Sequence, residues 1–111
     1  MEFIYLPVFI KRLKTLSKKY PSLKQEFASL LNILQNYPQT GVSLGQNCYK
    51  IRLAISSKGR GKSGGARVIT CVKVENNSIF FLTIYDKSEQ ETLSEIELKV
   101  FIDYIRQQQN K

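Results

Sequence analysis

The hydrophobic pattern of the chain changes period along its length, and each change marks an element. Glu2 to Leu6 (EFIYL) is a short apolar run of the kind that forms a buried strand. Pro7 then suits the first turn of a helix, where its missing N–H costs nothing. Phe9, Leu13 and Leu16 recur at helical spacing among Lys11, Arg12, Lys14, Lys18 and Lys19. Tyr20-Pro21 ends the run, because a residue before proline avoids the helical region. Ser22 with Gln25 has capping-box spacing and opens a second helix, with Leu23, Phe27, Leu30, Leu31 and Leu34 as its stripe. Tyr37-Pro38 closes it. The two helices predict a hairpin packed on a sheet.

Beyond Gly41 the period falls to two. In CYKIRLAI, Tyr49, Ile51, Leu53 and Ile55 point one way, toward the core, and Cys48, Lys50, Arg52 and Ala54 the other. SSKGRGKSGG follows, with four glycines and three cations, and reads as loop. Ala66 to Val74 (ARVITCVKV) predicts a strand, Asn76-Asn77 a tight hairpin turn, and Ser78 to Tyr85 (SIFFLTIY) a central strand buried on both faces. The remainder predicts helix, with capping-box spacings at Ser88/Glu91 and Ser94/Glu97 and an apolar face of Ile96, Val100, Phe101, Tyr104 and Ile105. The expected fold is α+β, a mainly antiparallel sheet in the order β-α-α-β-β-β-α, with an N-terminal helical hairpin and a C-terminal helix. The length of 111 residues predicts a single domain over residues 1–111.

Charge adds what periodicity leaves open. The net charge is +8, and no acid occurs between Glu26 and Glu75, a gap that holds Lys50, Arg52, Lys58, Arg60, Lys62, Arg67 and Lys73. A segment of one sign is the footprint of a polyanionic partner, either that or a surface basic for solubility. Apolar stretches fall far short of the about 20 residues that span a membrane. At the N-terminus the charges follow the apolar residues, the reverse of a signal peptide. The expected location is cytoplasmic, with no membrane partner.

The same composition narrows the chemistry. There is no histidine, and acids are missing from the cationic segment, so no metal site and no cofactor is expected. Cys48 and Cys71 are too few for a disulfide framework, lack a histidine partner, and read as buried free thiols. GRGKSGG lacks phosphate-loop spacing and joins two strands instead of opening a helix. A serine–lysine pair would rest on Ser56, Ser57 or Ser63, in or beside a loop that holds geometry poorly. What the strands do offer is a set of cations. Lys50 and Arg52 share a strand face, Arg67 opens the next strand, and Lys87 follows the last one. Fixed cations suit metal-free RNA cleavage, in which a ribose 2′-hydroxyl attacks the adjacent phosphorus and charge gathers on the phosphoryl oxygens. They equally suit solvation of an exposed sheet face.

The segments CYKIRLAI, SKGRGKSGGARVIT and FLTIYDKSE, with a helix after the last, together resemble the RelE/ParE superfamily of type II toxins, and the loop and the LTIYDKSE ending resemble its HigB-like branch. The likeness runs along essentially the whole chain and includes LSKKYPSLKQEF between the helices. It implies a microbial-ribonuclease-like fold and a toxin that cleaves mRNA on the ribosome without a metal, leaving a 2′,3′-cyclic phosphate. By position, Lys50, Arg52, Arg67 and Lys87 are implied as catalytic: Lys50 as the preferred base, Arg67 on the scissile phosphate, Lys87 at the leaving oxygen. Lys58, Arg60 and Lys62 of the loop, with Lys73 and Tyr85, are implied to hold RNA. The family's C-terminal catalytic tyrosine falls at Leu93 here, and Tyr85 stands near in sequence as a substitute. A cognate antitoxin, of helix-turn-helix type and burying the cationic face or displacing a helix, is implied as partner beside the ribosome and mRNA. A ParE-like gyrase inhibitor and a non-catalytic basic RNA- or ribosome-binding module are the alternatives.

Overall fold

The computed structural model describes residues 1–58, 64–89 and 93–109. Strand β1 (Glu2–Tyr5) leads into helices α1 (Pro7–Lys19) and α2 (Leu23–Asn36). Strands β2 (Val42–Gly45), β3 (Cys48–Leu53), β4 (Ala66–Lys73) and β5 (Ser78–Asp86) follow, and helix α3 (Glu95–Gln109) comes last. The strands form one sheet in the order β1-β5-β4-β3-β2. β1 is parallel to β5, and the other pairs are antiparallel. The fold is α+β, as the pattern of periods predicts.

Two differences at the element level have physical causes. β2 is a strand that the sequence reading leaves out, a short edge hairpin with β3 turned by Gln46 and Asn47 at φ 54° and 63°. Two consecutive positive φ angles are the two-residue hairpin geometry whose twist matches the strands. Ser22 does not close a capping box. Its hydroxyl bonds Glu26 at 2.9 Å and Ser57 at 2.8 Å, and so ties the helical hairpin to the segment that follows β3.

The sheet is buried on both faces. On one, Phe9 and Leu16 of α1 and Leu23, Phe27, Leu30 and Leu34 of α2 pack against Ile51, Leu53, Val68, Ile79, Phe81 and Ile84. Rings knit this core together: Phe81 lies 4.9 Å from Tyr5, 5.3 Å from Phe9 and 5.5 Å from Phe27 between centroids. Such pairs add about 0.5–1.5 kcal/mol each beyond area burial. On the other face, α3 covers Cys48, Ile69, Cys71, Phe80, Leu82 and Tyr85 with Ile102 and Ile105.

α3 departs from expectation at both its start and its face. Ser94 and Glu97 form the expected capping box, with Glu97 N–H donating to Ser94 Oγ at 3.1 Å and Ser94 Oγ to Glu97 at 3.1 Å. Ser88 lies in a turn and bonds Asp86 instead, while Glu91 is outside the described residues. The inward stripe is buried Ile102 and Ile105 with partly buried Leu98 and Phe101, and Ile96, Val100 and Tyr104 are exposed. Both sets recur at helical spacing, so the sequence carries two overlapping apolar stripes and only packing chooses between them.

A candidate anion site on the second sheet face

The alternation of β3 sends Ile51 and Leu53 toward the helical hairpin and Cys48, Lys50 and Arg52 to the opposite face. Lys50 is half-buried and Arg52 exposed. In the β3–β4 ladder Arg52 lies directly opposite Arg67, and Lys50 opposite Ile69. The ladder also sets how close these pairs are. Val72 N–H donates to Asn47 O at 2.9 Å, the bond that flanks a non-hydrogen-bonded pair at Cys48 and Cys71. Pair types alternate along an unbroken ladder, so Lys50/Ile69 and Arg52/Arg67 are of the same type. Cα atoms in such pairs are only about 4.5 Å apart, against about 5.5 Å in hydrogen-bonded pairs.

Two arginines therefore face each other across neighbouring strands at the closest spacing a sheet allows. Like charges placed so are destabilising. Arg67 is 3% exposed, and its Nη1 donates to Ala66 O at 3.1 Å. Burial pulls its guanidinium below the ordinary range, the charge of Arg52 adds to that, and Tyr85 opposes it. A buried arginine beside a second arginine is a position that an anion bridging both would relieve.

Tyr85 completes the row. It pairs with Arg67 from β5, and a bulge at Leu82 is what brings it there. Ile69 pairs with Thr83 but Thr70 with Phe81, so parity along β5 shifts by one and Phe80 and Tyr85 share a face. Tyr85, implied by the resemblance to hold RNA, is 4% exposed, so its ring is enclosed. Its hydroxyl is buried without a hydrogen-bond partner among the described residues. Desolvation pushes that hydroxyl's pKa up, Arg67 works against the shift, and Glu97 of α3 reinforces it. Leu93 packs against the same apolar cluster.

The remaining candidates are placed unevenly. Lys87 is half-buried two residues beyond Tyr85, with its backbone N–H on Gly65 O at 3.1 Å, so it borders the Arg67 end of the row. Lys73 sits at the far end of β4, about 20 Å along the strand from Arg67. Lys58 is not a free RNA-gripping cation: its ammonium is ion-paired with buried Asp86, which also accepts from Tyr20 Oη at 2.9 Å, Ser88 N at 2.9 Å and Ser88 Oγ at 2.8 Å. Burial of that carboxylate requires compensating partners, and Lys58 supplies the charge. Arg60 and Lys62 lie outside the described residues.

The sequence reading missed one neighbouring feature. Arg12 of α1 donates to Thr83 at 3.0 Å, and α1 and the end of β5 enclose a cleft of about 500 Å³ whose lining includes Lys11, Arg12, Tyr85 and Glu89. The cations of α1 were visible as residues, but nothing local showed that α1 runs beside Tyr85. No helix among the described residues is long and apolar enough to cross a membrane.

Comparison with known proteins agrees with this architecture. A sequence profile described as the RelE toxin of the RelE/RelB toxin–antitoxin system matches residues 28–110. The match is to RelE toxins as a whole and does not single out a HigB-like branch. No curated protein sequence matches the chain. The fold is similar to a doubly substituted mutant of E. coli toxin RelE in the free state, at TM-score 0.58 and 20% identity over 81% of this chain and 86% of that one. It is also similar to the isolated E. coli RelE toxin in a P21 crystal form, at TM-score 0.51 and 19% identity over 94% and 97%.

Proposed function

We propose a function from one premise: the chain belongs to the RelE toxin family, the toxins of RelE/RelB toxin–antitoxin systems. In our reading it is an endoribonuclease that cuts mRNA on the ribosome by metal-independent 2′-hydroxyl attack. The observation that carries this reading is the Arg52/Arg67 pair, two cations held opposite each other on rigid strands, one of them buried. Like charges held so close oppose each other, and a dispersed negative charge lying between the two would favour both. The phosphorane formed when a 2′-oxygen adds to a phosphodiester is such a charge.

The roles follow from position. Lys50, one side-chain step from Arg52 on the same face, about 7 Å along the strand, accepts the 2′-hydroxyl proton. Arg52 and Arg67 take the two non-bridging oxygens. Lys87, beyond Tyr85 at the end of the row, protonates the departing 5′-oxygen. The products are a 2′,3′-cyclic phosphate and a 5′-hydroxyl. The Tyr85 hydroxyl, without a partner among the described residues, gains a hydrogen bond when a phosphate or ribose oxygen reaches Arg67. Lys11 and Arg12, bordering the adjacent cleft, hold the backbone of flanking nucleotides. The partners in this reading are the ribosome with its mRNA and a cognate antitoxin of helix-turn-helix type.

The test is induced expression in a bacterium with growth followed and mRNA 5′ ends mapped. Growth arrest with new ends inside translated frames, both lost in Arg52→Ala, is expected. Growth arrest with intact mRNA and stalled replication would move the target to gyrase and overturn the reading.

A further inference from the structure

We propose that Cys48 and Cys71 are a modification site, a dithiol that a peroxide converts reversibly into a cross-strand disulfide. The geometry of the two strands carries this independently of the ribonuclease reading. The two residues are direct partners in the β3–β4 ladder, and the Val72 N–H to Asn47 O bond makes theirs a non-hydrogen-bonded pair. The expected Cα separation of about 4.5 Å lies within the range a disulfide spans, and both Cβ atoms project to one face. The side chains already converge. Both sulfurs approach a single acceptor, the carbonyl oxygen of Gln46, at 3.6 Å from Cys48 and 3.9 Å from Cys71. Both are free thiols, 0% and 2% exposed, beneath the α3 residues Ile102 and Ile105. A structural role as two small apolar fillers does not require two thiols paired in register with both sulfurs at one carbonyl oxygen.

Burial selects the oxidant. A bulky disulfide reagent cannot reach sulfurs under α3, whereas hydrogen peroxide is little larger than water. The environment divides the roles. The hydrogen bond from Cys48 holds the Cys71 thiol below its usual pKa, with Lys73 and Arg106 adding to the effect against desolvation, while the same bond and burial push Cys48 up. With Cys71 as the attacking thiolate, the steps balance. Its sulfur takes one peroxide oxygen as the O–O bond breaks, leaving a sulfenic acid, and the hydroxide released collects the thiol proton as water. The Cys48 sulfur then attacks the Cys71 sulfur, the S–O bond breaks, and the hydroxyl leaves as a second water with the Cys48 proton. Two thiols are oxidised by two electrons, and one peroxide is reduced to two waters.

The bond has a consequence for the toxin. The ring it closes runs from Cys48 to Cys71 and contains Lys50, Arg52, the glycine-rich segment and Arg67. Closing a loop of roughly two dozen residues restricts the unfolded chain and raises the melting temperature by on the order of 10 °C.

The purified full chain, exposed to hydrogen peroxide and quenched, is denatured, alkylated with N-ethylmaleimide and weighed intact. The expected result is a monomer lighter by two hydrogens that carries no maleimide and regains two alkylatable thiols after dithiothreitol. Cys71→Ser, given the same treatment, is expected to form no intrachain bond. Two maleimide adducts on peroxide-treated wild type would overturn the proposal. So would chains that only gain oxygen, or that are linked to one another.

Discussion

Replacing Lys58 by methionine removes one ammonium and keeps most of the aliphatic stem, so it isolates the charge that faces Asp86. Asp86 is buried and Lys58 largely covered, with side chains 0% and 10% exposed. Breaking a buried ion pair from one side costs about 3–5 kcal/mol, because the other charge is left without its counter-ion. Asp86 keeps three hydrogen bonds, from Tyr20 Oη, Ser88 N and Ser88 Oγ, which places Lys58→Met at the lower end, about 3 kcal/mol. For a chain of this length that is a fall in melting temperature on the order of 10 °C. The pH dependence gives the test its second arm. Burial alone would raise the Asp86 pKa, but donation by Lys58, by the Ser88 N–H and hydroxyl and by Tyr20 outweighs it and holds the carboxyl well below the usual carboxylate range. A depressed native pKa means that the unfolded chain binds the proton first. The stabilisation is complete above the unfolded value, about 3.9, and is lost as pH falls toward the native one. Wild type should therefore exceed Asp86→Asn by a wide margin in urea denaturation at pH 7, followed by far-ultraviolet circular dichroism, and by much less near pH 2. A Lys58→Met protein that melts within about 2 °C of wild type, or a gap between wild type and Asp86→Asn that ignores pH, would refute the reasoning.

Other consequences can be checked with the same protein. Arg52→Ala should cut cleavage by on the order of a hundredfold or more. It should also leave the fold as stable as wild type or more so by about 0.2–1 kcal/mol, since it removes a like-charge pair; urea melts beside a cleavage assay read both. Phe81→Ala, at the centre of the ring cluster and fully buried, should cost about 3–5 kcal/mol in chemical denaturation. Gly65→Ala would put a Cβ 2.2 Å from Leu53 O, so β3 and β4 must part beside Arg67, and soluble yield and melting temperature should both fall.

Legibility in the sequence followed how local each cause is. The period-two run of β3 named the face of Lys50 and Arg52 correctly, because alternation needs nothing beyond the strand itself. The Ser94/Glu97 cap is equally local, and so is left-handed Asn77 at φ 50°, although the turn it closes is the four residues Val74 to Asn77 and not the tight Asn76-Asn77 turn expected. The register that sets Arg52 against Arg67 was not readable, since it depends on how two strands align across the loop. Nor was the place of Tyr85, which depends on a bulge that changes parity within a uniformly apolar strand. Lys58 looked like the two other loop cations in the sequence, and only the folded chain brings it to Asp86. β2 was missed because VSLG is short, exposed and barely apolar, and its strand character comes from pairing with β3. In α3 the sequence offered two stripes, and the sheet chose Ile102 and Ile105.

The central claim is that opposed arginines on β3 and β4 stabilise the transition state of RNA cleavage. The most direct measurement adds purified wild type and Arg52→Ala, matched in circular dichroism and melting temperature, to a reconstituted translation reaction programmed with a defined mRNA. Cut sites and end chemistry are then read by primer extension and by end-specific ligation. The account predicts cuts in the translated frame by wild type, with 2′,3′-cyclic phosphate and 5′-hydroxyl ends, and a loss of on the order of a hundredfold in Arg52→Ala. Intact mRNA with wild type, or cleavage unchanged by the substitution, would contradict it.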